Sequence, residues 1–248
     1  MSRQIRIAVL VPALGLFGFL LAWALVGLPH FGDYRGPYGY VLDRVVLPER
    51  HMTNVVTAVV FDYRGFDTMG EEFILFAAVV GVVLLLRQGG REEPDRLNDS
   101  VGSDGVRIGG TLAVGACVLV SLWLISYGFV TPGGGFQGGA ALASSVLLVF
   151  LVSSHKAWSG VASDRVLDPF EGVGAGGYVV IGLGALIGGL PFLTNVLGPG
   201  SVGTLFSGGS AAFVNWSAGM EVAAANLVLF TEFIDEYVVP LAKGDAAG

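Results

Sequence analysis

The stretch Ile108–Val152, IGGTLAVGACVLVSLWLISYGFVTPGGGFQGGAALASSVLLVFLV, consists of two apolar runs joined by a proline and three glycines. Neither Ile108–Val130 nor Phe136–Val152 contains an Asp, Glu, Lys or Arg. A helix rises ~1.5 Å per residue, so runs of about 20 apolar residues cross the ~30 Å hydrocarbon core of a bilayer. Pro132, Gly133, Gly134 and Gly135 punctuate the pattern where a tight turn must reverse the chain. The pair therefore reads as a helical hairpin spanning a membrane, and this sets the class of the whole protein.

Outward from that hairpin the same pattern recurs. Ile7–Leu28 is a first span of about 22 residues, too long for a signal-peptide core and read as a retained helix. Glu72–Leu86, starting a few residues earlier near Thr68, is a second. Val173–Leu193 is a glycine-rich fifth and Ala211–Ile234 a sixth. Composition agrees. Of 248 residues, 53% are hydrophobic and only 13% charged, with a mean hydropathy of +0.72, where a soluble domain carries about 25% charged residues. The 39 glycines fall largely in or beside the apolar runs, which suits close helix packing. The fold expected is all-α: a polytopic membrane protein of about six spans plus one short re-entrant or interfacial helix.

The basic residues orient it. With the N-terminus inside, the cytoplasmic segments hold Arg3, Arg6, Arg87, Arg91, Arg96, Arg107, Lys156, Arg165 and Lys243, and the other side holds Arg35, Arg44, Arg50 and Arg64. This excess on one side predicts an even number of spans and a cytoplasmic N-terminus in the cell membrane. The highly charged 91–107 stretch reads as a cytoplasmic tether between a two-span module, 1–90, and a four-span domain, 108–240. The formal charge of −7 resides mostly in loops and termini, and no basic face suggests nucleic acid. Cys117 is alone in an apolar run and is read as a buried or lipid-facing filler; His30, His51 and His155 lack ligand spacing, so no metal site is expected. The sequons at Asn98 and Asn215 read as chance.

The densest polar constellation is NVVTAVVFDYRGFDTMGEE, Asn54–Glu72, ahead of the second span. Met52–Phe61 is too short to span and reads as the short re-entrant or interfacial helix, with a break at Asp62–Arg64–Gly65. Asp67 or Thr68 can cap the second span, with Glu71 and Glu72 in its first turn, where the positive helix end favours carboxylates. Capping leaves Asp62 and Arg64 unexplained. Charges at a membrane edge that face a protein interior often line ion or proton routes, so Asp62, Arg64, Asp67, Glu71 and Glu72 are candidates for such a route. This run closely resembles the signature at the C-terminal end of the large A-type subunit of Mrp multisubunit cation/proton antiporters.

The second motif is the hairpin turn itself, Ser126–Gly139. Gly133, Gly135 and Gly138 satisfy G-x-G-x-x-G by accident, since no soluble strand precedes them and no suitable acid follows. Pro132, Gly133, Gly134, Gly135, Phe136, Gly138 and Gly139 instead form a turn and a small-residue packing face. PGGGFxGG just after a helix resembles the MnhB/MrpB family, the B-type subunit of the same antiporters. Together the resemblances cover residues ~50 to 240. Gly184 and Gly188 add a GxxxG packing pattern.

The sixth span carries Glu221 about ten residues inside an apolar helix, and Glu232 about three turns further along the same face, with Ser217 one turn before. A carboxylate at the bilayer centre costs ~2.5–3.5 kcal/mol to insert, so it must be protonated, paired or wet. It reads either as a proton- or cation-responsive acid or as a structural carboxylate. The region resembles the last helix of MnhB domains, many of which carry Lys where this chain has Glu221.

What the resemblance implies is a non-enzymatic subunit of an Mrp-type Na⁺/H⁺ antiporter, without cofactor, partnered by other Mrp-type subunits and lipid. The same modules occur in membrane-bound hydrogenases and sulfur-reducing relatives, where this chain would belong to the ion-moving arm; one cysteine cannot ligate an iron–sulfur cluster. A purely structural scaffold is the third reading.

Overall fold

A computed structural model describes residues 3–28, 36–86, 103–153 and 155–238. Most of the expected tether, and the sequon at Asn98, lie outside the described residues. The regular structure of the described residues is helical, and six of the helices are long and apolar enough to cross a membrane. The chain is an all-α, multi-pass membrane protein.

Two units are distinguished, one reaching to Val41 and one starting at Leu42. The first holds α1, Arg3–Val26, an apolar helix long enough to span. Next comes α2, Pro37–Arg50, a helix not anticipated from the polar sequence between the first two spans. Proline suits its first position, where the missing N–H would be unpaired anyway. Its Leu42 and Val46 are buried in the second unit.

The short helix expected over Met52–Phe61 is α3, Val55–Ala58, running directly into a π-helical segment, Val59–Tyr63. Asn54 caps it, accepting from the Thr57 N–H at 3.2 Å. The break falls at Arg64, and α4 runs Gly65–Leu86. Asp67 and Thr68 therefore lie inside the first turn of α4 and do not cap it. Thr68 instead donates to the Val60 carbonyl at 2.6 Å, satisfying an acceptor of the π segment. Glu71 and Glu72 fall a turn deeper than a start near Thr68 implies.

The remaining helices are α5, Asp104–Ser126; α6, Gly135–Val152; α7, His155–Val161; α8, Asp164–Ile187; and α9, Ser210–Phe233, which continues as a π segment to Val238. Residues 127–134 form the turn of the hairpin. The fifth span needs correcting at both ends: it begins nine residues before Val173 and stops at Ile187. Pro169 and the polar residues around it obscured that start; Pro169 lies inside α8, where it removes the N–H that would pair with the Arg165 carbonyl. Gly184 of the GxxxG pattern meets no atom within 4 Å among the described residues. Cys117 is exposed on α5, the lipid-facing alternative.

The second unit is organised around α9, which packs against α4, α5, α6 and α8. Its span window is 67% buried, against 28% or less for the other five. Alanine, glycine and serine let four helices approach it. Two apolar clusters result. One gathers Leu42, Val46, Met52, Phe61, Phe129, Tyr178 and Ala218; the other gathers Val79, Ala143, Trp158, Leu167, Ala225 and Val228.

Candidate functional site

Between the two apolar clusters lies a layer of acids. On α9, Glu221 sits between Ala218 of the first cluster and Ala225 of the second; on α4, Glu72 precedes Val79; on α8, Glu171 stands between Leu167 and Tyr178. Glu221 is 0% exposed, Glu72 2% and Glu171 8%. The positions follow from helical spacing. Gly65, Thr68, Glu72 and Val79 are the buried residues of α4, recurring every three to seven positions along one face. That face meets α8 and α9.

The Glu72 and Glu221 carboxyls confront each other across the α4–α9 contact. Outside that pairing none of their four oxygens has a hydrogen-bond partner among the described residues. Glu171 neighbours Glu221, and its own Oε1 is buried without a partner. Two glycines bring α8 this close: a Cβ on Gly174 would stand 2.5 Å from the Glu221 nitrogen, and one on Gly177 would stand 2.7 Å from the Ser217 hydroxyl. Above the acids, Tyr178 is buried and donates to the Gly65 carbonyl at 2.7 Å.

Gly65 also lines a cavity of about 590 Å³ shared by Arg50, Asp62, Tyr63, Arg64, Asp67 and Phe192–Asn195. Asp62 pairs with Arg50 at 3.0 Å, and Arg64 with Asp67. Burial raises the Asp62 pKa above the usual carboxylate value, the Arg50 charge opposes this, and Glu49 adds to it. Tyr63 is pushed up to about 12, by burial first and then by donating to Glu49 at 2.8 Å. Arg50 also stacks 5.0 Å above the Tyr63 ring.

The structure thus divides the residues anticipated from the sequence. Asp62, Arg64 and Asp67 sit at the cavity; Glu72 and Glu221 meet in the buried layer; Glu71 is exposed on α4; Glu232 is buried near the far end of α9. Glu171 and Tyr178 were not anticipated. The fifth span read from Val173 excluded Glu171, and a tyrosine in a glycine-rich helix carries no signal of its own.

The hairpin turn is a clasp. Gly133 and Gly134 have φ of 150° and 147°, values that favour glycine. Asn215 of α9 donates to the Ile125 carbonyl at 2.6 Å and accepts from the Gly135 N–H at 2.7 Å, joining both arms of the hairpin. A Cβ on Gly135 would lie 2.3 Å from the Asn215 carbonyl oxygen, and one on Gly139 2.7 Å from that of Gly219. Gly138 abuts Ile125 in the same way, whereas Pro132 is exposed in the turn. Phe136 packs at the edge of the first cluster. Asn54 and Thr57 reach this turn as well, so the two sequence motifs meet in space.

Comparison with known proteins agrees with this architecture. A family model described as the domain related to the MnhB subunit of Na⁺/H⁺ antiporter matches residues 106–228. An uncharacterized protein of Methanocaldococcus jannaschii is 31% identical over 186 residues, 68% of each chain. A chain in the structure of the membrane-bound sulfane sulfur reductase, an archaeal respiratory membrane complex, is 30% identical with a TM-score of 0.68, covering 92% of this chain and 98% of that one. A chain of the Mrp complex from a Dietzia species shares the fold at a TM-score of 0.66 and 23% identity, covering 94% of this chain and 26% of that one. The protein is a member of the MnhB-domain family of membrane proteins.

Proposed function

We propose that this chain is a non-enzymatic subunit of a multisubunit, ion-translocating membrane complex of the Mrp Na⁺/H⁺ antiporter type, contributing to its assembly and to its cation/proton path. The observation that carries the reading is the buried Glu72–Glu221 pair. Two carboxyls facing each other inside an apolar bundle, without a donor, are costly to keep. A core selected for stability alone would hold apolar residues there.

In this reading Asp62, Arg64 and Asp67 form the polar mouth, Glu72 and Glu221 the intramembrane carriers, and Glu232 an acid near the opposite end. Glu71, exposed on α4, is available to a neighbouring subunit. Residues 1–90 and 108–240 serve as two- and four-span modules joined by a cytoplasmic tether at 91–107. The distribution of Lys and Arg supports a cytoplasmic N-terminus in the cell membrane. Exposed Leu, Ile and Val on the outer faces of α4, α5 and α8 suit lipid and partner subunits.

A second reading, the ion-translocating arm of a redox-driven complex, is favoured by the fuller match to the sulfane sulfur reductase chain. Affinity purification of the tagged chain in mild detergent, with co-purifying proteins identified by mass spectrometry, separates the two. Antiporter-like subunits alone support the first. Partners bearing metal clusters support the second. Recovery of the chain alone at high yield overturns both.

A further inference from the structure

The acid layer continues on a helix that the sequence did not single out. On α8, Tyr178, Gly174 and Glu171 are spaced four and three residues apart, hence on one face. Gly174 presses against the Glu221 backbone, so Tyr178 stands one turn to one side of Glu221 and Glu171 one turn to the other. Tyr178 donates to the carbonyl of Gly65, which lines the cavity, and its other hydroxyl neighbour is Thr68, one turn before Glu72 on the buried face of α4. Beyond Glu171 comes Asp168, its neighbour one turn away and exposed. The order from the cavity is Tyr178, Glu72, Glu221, Glu171, Asp168. Tyr178 and Asp168 are ten residues apart on α8, about 15 Å, or half of a ~30 Å hydrocarbon core.

We propose that Tyr178 and Glu171 extend the Glu72–Glu221 pair into a proton-conducting file that runs about half the way across the bundle within this one chain. The proposal rests on the ion-path reading above and names its substrate. A dehydrated cation needs several oxygens converging on one point. The acids instead follow one another from α4 to α9 to α8. A proton needs only successive acceptors. Tyr178 takes a proton on its oxygen from the cavity side, turns its hydroxyl from the Gly65 carbonyl and passes its own proton towards Glu72, ending neutral. Glu72 passes a proton to Glu221, Glu221 to Glu171, and Glu171 releases one towards Asp168. Each carboxyl is restored once its proton has left.

The test uses the complex that co-purifies with the tagged chain, reconstituted in liposomes with the potential clamped by potassium and valinomycin. An internal pH dye reads proton flux, and ²²Na⁺ uptake is followed in parallel. Tyr178→Phe and Glu171→Gln each lower proton flux by about tenfold or more, with subunit composition on a native gel unchanged. Asp168→Asn, at an exposed position where folding tolerates change, lowers it several-fold and keeps the test decisive should a buried variant fail to assemble. Wild-type proton flux in all three, with flux abolished in Glu72→Gln, overturns the file and leaves the ion-path reading standing. Wild-type flux in Glu72→Gln as well removes both. Loss of ²²Na⁺ uptake with proton flux intact overturns the proton as substrate.

Discussion

The Asn54 side-chain amide donates to the Gly128 carbonyl at 2.7 Å, locking the short helix before α4 onto the α5–α6 turn 74 residues later. The same amide reaches the Thr131 carbonyl at 3.1 Å, and Thr57 donates to Gly128 at 2.8 Å. One side chain thus caps α3 and fastens the hairpin.

Asn54→Ala removes the cap and takes the Asn54 donor from the Thr131 carbonyl, while the Gly128 carbonyl keeps only Thr57. The expected loss is about 2–3 kcal/mol, read as a lower Tm of the purified chain in mild detergent. Thr57→Val, which deletes one hydrogen bond at nearly constant shape, costs about 1 kcal/mol. An unchanged Tm in Asn54→Ala would show that the clasp contributes nothing.

Gly135→Ala and Gly139→Ala force a methyl group into the α9 backbone, so both separate α6 from α9 and lower the yield of folded protein. Gly115→Ala meets nothing within 4 Å and gains about 1 kcal/mol of helix propensity. Comparing thermal unfolding of the three distinguishes packing glycines from incidental ones. Equal behaviour would refute the close-approach explanation.

Glu71 and Glu72 are adjacent in sequence but face opposite environments, one exposed and one buried. Glu72→Gln lowers ion flux at least tenfold while Tm stays at or above the wild-type value, because a buried acid is replaced by a neutral amide. Glu71→Gln changes flux less. A fall in Tm with flux retained would make Glu72 a structural residue.

Burial raises the Asp62 pKa in spite of Arg50. Between the unfolded and folded pKa values the native state therefore holds more proton, and stability falls as pH rises through that window. The Tm of the wild type relative to Asp62→Asn should be higher at pH 4 than at pH 7. The opposite slope would mean that the Arg50 ion pair outweighs burial.

Much of the architecture is legible in the sequence because lipid imposes a simple rule. Every backbone polar group must be satisfied within a helix of about 20 apolar residues, so Ile7–Val26, α4, α5, α6 and α9 declare themselves by length and hydropathy. The break near Arg64 and the turn at Pro132–Gly135 show for a related reason: proline, glycine and clustered charge interrupt such runs. Helix ends are less legible. The start of α8 hides behind Asp168, Pro169 and Glu171, and α2 and α7 are too short or too polar to register as spans.

By itself, then, the sequence determined that this is a multi-pass helical membrane protein of the MnhB kind, with acids at Glu72 and Glu221 that demand an explanation. Only the tertiary structure decided which acids meet. Hydropathy and periodicity act along one helix, whereas the Glu72–Glu221 pairing, the approach of Glu171 and the Asn54 clasp depend on which faces three or four helices turn towards α9. That choice is made by contacts such as Gly174 against Glu221 and Asn215 between Ile125 and Gly135, where a single absent Cβ or a paired amide sets the distance between helices that no local pattern records.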